Sequence, residues 1–112
     1  MNSEQNIIVA SEAEITIRTI EDIPDAIGAC FGATGLLLTE QDLAPAFFDL
    51  KSGLAGELLQ KFVNYRLRVA IVVADPAAYG ERFGELVREH RSHGLVRFAP
   101  TRAEADAWLG AD

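Results

Sequence analysis

Short hydrophobic runs recur along the chain between polar segments, and their length and composition predict β-strands. The runs at residues 7–9, 36–38, 67–73 and 95–99 are too short for helices, and polar residues, glycine or proline lie within two positions of their ends. Such runs are typical of buried strands. Residues 15–17 place a threonine between two isoleucines and predict a further half-buried strand, either separate from the first or part of one interrupted strand.

Between the later strands, hydrophobic residues recur every three or four positions, as they do on the buried face of a helix. The first such stripe follows Thr19, a suitable helix cap. Its apolar positions are Ile23, Ala26, Ile27, Cys30 and Phe31. Similar stripes predict helices over residues 53–64 and 79–90 and after Thr101, while residues 43–48 predict a short helical turn packed on the sheet.

These elements follow one another in the order ββαβαβαβα, which predicts a single compact α/β domain over residues 1–112. Strands that alternate with helices favour a mostly parallel sheet joined by right-handed crossovers and covered by helices. The two opening strands can pair differently from the rest. A chain of this length fits one domain with one core.

The net charge and the cysteine content indicate which binding partners and which cellular compartments are compatible with the chain. The net charge is −7, from 17 acidic and 10 basic residues, and it disfavours a nucleic-acid partner because phosphates bind cationic surfaces. The single cysteine, Cys30, excludes an intramolecular disulfide and reads as a small core residue. The N-terminal segment lacks the apolar run of a signal peptide, and no stretch is long enough to span a membrane. We expect a cytoplasmic protein without membrane association.

The turn before the helix at residues 53–64 holds the strongest candidate site. Ser52 is predicted at the N-cap of that helix, with Lys51 before it and Gly53 after it, and Asp49 begins the turn. Free amide groups and the helix dipole at such a position favour an anion, including a phosphate attached to Ser52 itself. A serine at this place is also explained as a plain helix cap.

Other polar residues carry weaker signals. Asp75 follows the most strongly predicted strand and either caps the next helix or, with Asp49, attracts a divalent cation, although two aspartates are too few ligands for a typical site. His90 and His93 lack a third metal ligand nearby, and Ser52 lacks the setting of a hydrolase nucleophile. We predict no catalytic residue, no metal and no cofactor.

One block of sequence resembles a known family. Residues 47–66 read FFDLKSGLAGELLQKFVNYR. This block is similar to a small bacterial family catalogued as a domain of unknown function, whose recurring sequence is approximately FFDLK, then Ser or Thr, then GxAGExLQKFxNYR. The resemblance covers most of the chain in the order of its elements, and it implies no particular function.

A more distant resemblance does imply a function. The run of strand, D-x-x-S-G-L turn and helix is similar to the STAS domain of anti-sigma-factor antagonists, in which phosphorylation of a hydroxyl residue switches partner binding. Carried onto this chain, the resemblance implies that Ser52 is the phosphorylatable residue and that Gly53 and Leu54 begin the following helix. Lys51 stands where the antagonists usually have serine, and the connection from the preceding strand is longer than theirs.

We therefore predict a STAS-like regulatory or protein-interaction domain without enzymatic activity. The predicted partner surface consists of Asp49, Lys51, Ser52, Gly53 and Leu54. An alternative is a small-molecule or phosphate-binding domain that uses a crevice around Ser52, Gly53 and Asp75 at the strand ends. A third hypothesis is a homodimer that buries Phe47 or Phe48.

Overall fold

Parallel strands form a single sheet in the computed structural model, which describes residues 6–110. The strands are β1 (Ile7–Val9), β2 (Gly35–Thr39), β3 (Val69–Val72) and β4 (Val96–Ala99). They lie side by side in this order, and each neighbouring pair is parallel. The predicted α/β class is confirmed.

Five α-helices follow the strands in the described part of the chain. They are α1 (Ile23–Cys30), α2 (Pro45–Phe48), α3 (Leu54–Asn64), α4 (Glu81–Glu89) and α5 (Arg102–Leu109). Short 3₁₀ turns precede α1, α3 and α4, and another follows β2. None of these helices is long and apolar enough to cross a membrane.

The helices cover the two faces of the sheet unequally. When strands are laid down in sequential order with crossovers of one hand, the connecting helices fall on one face. Leu36 and Leu38 of β2 accordingly point into a large core shared with α1, α3 and α4, whereas Leu37 points into a smaller core closed by α5. All three leucines are fully buried. Burial on both faces explains why this strand reads as a continuous apolar run.

The strand predicted at residues 15–17 is wrong. Ile17 forms only an isolated parallel bridge with Leu43, in which Ile17 N–H donates to Asp42 O at 2.8 Å and Ala44 N–H donates to Ile17 O at 3.0 Å. Ile17 is buried and Thr16 is exposed, so the alternation reports a chain segment that covers the core without joining the sheet. The described elements begin with one strand instead of two.

Gly80 divides the helix predicted over residues 79–90. Its φ of 104° lies in the region that favours glycine, so the chain forms a 3₁₀ turn over Pro76–Tyr79 and α4 begins only at Glu81. The strands predicted at residues 67–73 and 95–99 are also shorter than expected, although Arg68 O and Leu95 O still accept the N–H groups of Leu36 and Val69 in the neighbouring strands.

Two arginines attach α5 to the sheet. The guanidinium of Arg68 donates to Trp108 O at 2.9 Å and to Leu109 O at 3.3 Å, which satisfies carbonyl groups at the end of the helix. Arg68 also lies 4.3 Å from the centre of the Trp108 ring, and Arg97 lies 5.0 Å from it. These cation–π contacts hold the indole against the sheet.

Candidate functional site

The Ser52 turn is held by its own hydrogen bonds. Ser52 Oγ donates to Ala46 O at 2.6 Å and accepts the N–H of Leu54 at 3.2 Å, so it connects α2 to the start of α3. The N-cap itself is Gly53, with φ of 81°, and the predicted N-cap position of Ser52 is wrong by one residue. Asp49 Oδ1 accepts the N–H of Lys51 at 3.1 Å and caps the preceding 3₁₀ turn.

The predicted partner surface divides into exposed and buried members. Asp49, Lys51, Ser52 and Gly53 are exposed and adjacent, as a binding loop requires. Leu54 is only 2% exposed and packs in the larger core, where it anchors the first turn of α3. Leu54 therefore positions the loop and does not offer its side chain to a partner.

The carboxyl ends of β2 and β3 meet at Glu40, which is not among the predicted site residues. Its carboxylate accepts the N–H of Ala74 at 3.2 Å and forms a short hydrogen bond with the hydroxyl of Tyr79. This hydrogen bond raises the pKa of Tyr79, with burial and the charge of Glu40 acting in the same direction. The available signal was an acid directly after a buried strand, the position at which α/β proteins place polar groups.

Asp75 lies near the same sheet edge but outside this cluster. It is exposed and precedes the 3₁₀ turn over Pro76–Tyr79 without a side-chain capping hydrogen bond. Among residues 6–110, no three His, Cys, Asp or Glu side chains are grouped so that they would hold a metal ion. His90 and His93 instead bond the backbone, at Leu86 O and at the N–H groups of Leu95 and Val96.

An open groove of about 460 Å³ lies between the Ser52 turn and α4. From the predicted set only Asp49 and Lys51 line it, and Ser52, Gly53 and Asp75 do not. Its apolar wall is Phe48 stacked on Tyr79, with ring centroids 3.8 Å apart. Phe47 is buried and Phe48 is half-buried, so neither is among the large hydrophobic side chains that the described structure exposes, and the homodimer stays a prediction.

A second groove, here called the α1–α3 groove, has a volume of about 280 Å³. On the α1 side it is lined by Ile20, Ile23, Pro24, Ile27, Gly28 and Phe31. On the α3 side it is lined by Glu57, Lys61 and Tyr65. The large hydrophobic side chains exposed in the described structure are Ile20 at 47%, Phe31 at 60% and Tyr65 at 53%, and all three belong to this groove.

The prediction that Phe31 lies on the buried face of α1 is wrong, since its side chain is exposed. The helix ends at Cys30, and Phe31 has an extended backbone with ψ of 128°, so its side chain leaves the helical face. It packs edge-on against Tyr65, with ring centroids 5.8 Å apart. No sequence pattern predicts this groove, because whether an apolar residue is covered depends on neighbours that are distant in sequence.

Few charges line the α1–α3 groove. Glu57 and Lys61 are one helical turn apart and form an ion pair of 3.6 Å, with their side chains 38% and 42% exposed. An exposed pair of this kind contributes little stability, but it neutralises the polar edge of the groove. The remaining wall is apolar, so the groove suits a hydrophobic surface and offers no group placed for chemistry.

Comparisons with known proteins identify a family for this chain but assign no function to it. A family model described as "Domain of unknown function (DUF4180)" matches residues 2–109. No curated protein and no solved structure matches the chain.

Proposed function

Because this chain belongs to the DUF4180 family, a family of unknown function, we propose from its surface that it is a non-enzymatic domain that binds another protein through the α1–α3 groove. The observation that carries the proposal is the meeting of Ile20, Phe31 and Tyr65 around one groove. Clustered exposed apolar side chains mark interaction sites, whereas single ones are ordinary. We place this binding in the cytoplasm, where the free thiol of Cys30 stays reduced.

Burial of these side chains would supply the binding energy. Taking an apolar side chain fully out of water contributes about 1.5–3 kcal/mol, and Phe31 and Tyr65 are each more than half exposed. Aromatic residues are also frequent among those that dominate binding free energies. The edge-to-face contact of the two rings holds them in one orientation before a partner arrives, which lowers the entropy lost on binding.

We propose Ser52 as the residue that regulates this binding, in the manner of the STAS switch. Its side chain is accessible, and its hydroxyl proton is committed to Ala46 O. A phosphate on Oγ would remove that donated hydrogen bond and add about two negative charges before α3. Because α3 also carries Glu57 and Lys61 of the groove, a shift of this helix would change the groove.

The second candidate function is the binding of a small molecule or phosphate beside the Ser52 turn. The volume of the groove there, about 460 Å³, lies in the range of ligand pockets, and Lys51 and Arg82 supply cations. This candidate uses Lys51 and Arg82 in place of the predicted crevice of Ser52, Gly53 and Asp75. Titration with inorganic phosphate, followed by amide NMR shifts, tests it: saturable shifts around Lys51 and Arg82 support it, and unchanged spectra exclude phosphate.

The main proposal is tested by affinity capture from extract of the native cell. We expect the wild type and Ser52→Ala to retain a common protein that the double variant Phe31→Ser/Tyr65→Ser loses. Ser52→Asp should lose the same protein if the switch operates. The thermal midpoint of each variant is measured first, so that loss of folding is not mistaken for loss of binding. Capture unchanged by the double variant would overturn the groove as the binding site.

A further inference from the structure

The strand β4 forms one edge of the sheet, so half of its backbone groups face away from the other described strands. Leu95 O and Ala99 O accept the N–H groups of Val69 and Val73 on the β3 side. Successive residues of a strand direct their backbone groups to opposite edges, so the N–H of Val96 points away from β3. An unpaired edge of this kind is the surface to which other strands add.

His93 supplies the hydrogen-bond acceptor for this edge. Its Nδ1 accepts the N–H of Leu95 at 3.0 Å and the N–H of Val96 at 3.2 Å. A ring nitrogen accepts a hydrogen bond only when it carries no proton, so both bonds require the neutral ring with its hydrogen on Nε2. Protonation would turn Nδ1 into a donor that faces two other donors, and both hydrogen bonds would be lost.

His90 makes the opposite kind of contact. Its Nδ1 lies 2.9 Å from Leu86 O. A carbonyl oxygen only accepts, so Nδ1 of His90 is the donor and keeps its hydrogen when the ring is protonated. The centroids of the two histidine rings are 5.4 Å apart, and only His93 loses its hydrogen bonds on gaining a proton.

The surroundings of His93 do not compensate a positive ring. It lies in a groove of about 340 Å³ that α3 lines with the uncharged residues Gly56, Leu59, Gln60 and Val63 and that α4 lines with Leu86 and His90. On the β4 side, the guanidinium of Arg97 donates to His93 O at 3.4 Å. The titratable or charged groups that face His93 in the described structure are thus His90 and Arg97. Neither is an acid that would hold a protonated ring in place.

We propose that His93 is a pH-sensitive switch on the edge of β4. The neutral ring closes the turn before the strand and covers the N–H of Val96, and the protonated ring releases both. Histidine is the side chain whose charge changes between about pH 5 and 8. The closed turn excludes a proton from Nδ1 whereas the released ring binds one, so lowering the pH favours release. The switch does not involve the α1–α3 groove and does not depend on the proposed function.

Amide hydrogen exchange of the full chain, resolved by NMR, tests the switch through the protection factors of Leu95 and Val96. A free histidine titrates near pH 6.5, so a change from about pH 7.5 to about pH 5.5 should lower both factors about tenfold. Leu38, in the central strand β2 and paired with β3, is the reference and should keep its protection. Unchanged factors at Leu95 and Val96 would overturn the proposal, as would an equal loss at Leu38, which would indicate general unfolding.

Substitutions separate His93 from other effects of acid. His93→Asn offers a side-chain oxygen in place of Nδ1 that accepts at every pH, so both protection factors should stay high and independent of pH. His93→Ala removes the acceptor and should give low protection at both pH values. The matched control, His90→Asn, should retain the tenfold response.

Two results would reject the role of His93. A pH response that persists in His93→Asn, or that His90→Asn abolishes, would assign the response to another group. Protection in His93→Ala equal to that of the wild type at about pH 7.5 would show that the ring does not hold the turn closed.

Discussion

At the scale of single residues, Cys30 shows how burial controls chemistry. It is the only cysteine of the chain, and its side chain is fully enclosed on the inner face of α1. Burial raises its pKa from 9.0 to about 11, because a thiolate would lose its hydration. Because the folded state holds this proton more tightly than the unfolded chain does, the contribution of Cys30 to the free energy of unfolding is complete below pH 9. That contribution declines as the pH rises through about 11.

We predict that Cys30 reacts with an aromatic disulfide reagent at pH 8 at least about a hundredfold more slowly in the folded protein than in urea, because reaction requires both exposure and the thiolate. The measurement is the rate of thiolate release across a urea series, with the fully unfolded chain as the control. Reaction in native buffer as fast as in urea would show that α1 opens readily and would contradict its place in the core.

The residues that form the candidate site were only partly predictable. The exposed turn with Asp49, Lys51, Ser52 and Gly53 was predicted, because a polar segment before an amphipathic helix is a local signal. The exposure of Phe31 was not, since one residue decides whether it continues the buried stripe of α1 or follows the helix end. Exposure of an aromatic side chain is a property of packing between helices, and no local pattern encodes it.

At the scale of elements, Gly35 sets the distance between the sheet and α5. A Cβ at this position would lie 2.6 Å from Leu109 Cδ2 and 3.0 Å from the carbonyl oxygen of Arg68, closer than packed atoms approach. The backbone carbonyl cannot move without disturbing the neighbouring strand. The first residue of β2 is therefore glycine because a larger side chain would clash with α5, and its backbone conformation does not itself require glycine.

We predict that Gly35→Ala lowers the free energy of unfolding by about 1–3 kcal/mol, the usual cost of inserting a methyl group into a packed core. The control is Gly84→Ala inside α4, where an added Cβ meets no atom within 4 Å. That substitution should raise stability by about 0.5–1 kcal/mol, since alanine favours the helix. Urea unfolding of both variants measures the difference, and a stable Gly35→Ala protein would show that α5 is loosely packed.

The elements themselves were predictable where the pattern is long or the burial complete. β2 and β3 are buried on both faces, so their apolar runs are unbroken, and α3 has a clear stripe that ends in Phe62. A strand was wrongly predicted at residues 15–17, because any extended segment that lies on a core has alternately buried and exposed side chains. Alternation reports which side chains are covered, whereas membership of a sheet depends on a neighbouring strand with free hydrogen-bonding groups.

At the scale of the whole molecule, one sheet separates two cores of unequal size. The larger core lies under α1, α3 and α4, and the smaller one contains Leu37, Ala70, Ala99, Ala105 and Leu109 under α5. The two cores share β2 and β3, whose successive residues point to opposite faces. Loss of either core therefore removes support from strands that the other requires, which makes the unfolding of the two cores interdependent.

We predict that the domain unfolds in one cooperative transition. Trp108, the only tryptophan, reports on α5 through its contacts with Arg68 and Arg97, whereas far-UV circular dichroism reports on all helices. In urea the two signals should give the same midpoint and slope. Leu109→Ala, which leaves a cavity at a fully buried position, should lower the free energy of unfolding by about 2–5 kcal/mol. Both urea midpoints should therefore fall together. A fluorescence transition at lower urea than the circular dichroism transition would instead mean that α5 detaches from a sheet that remains folded without it.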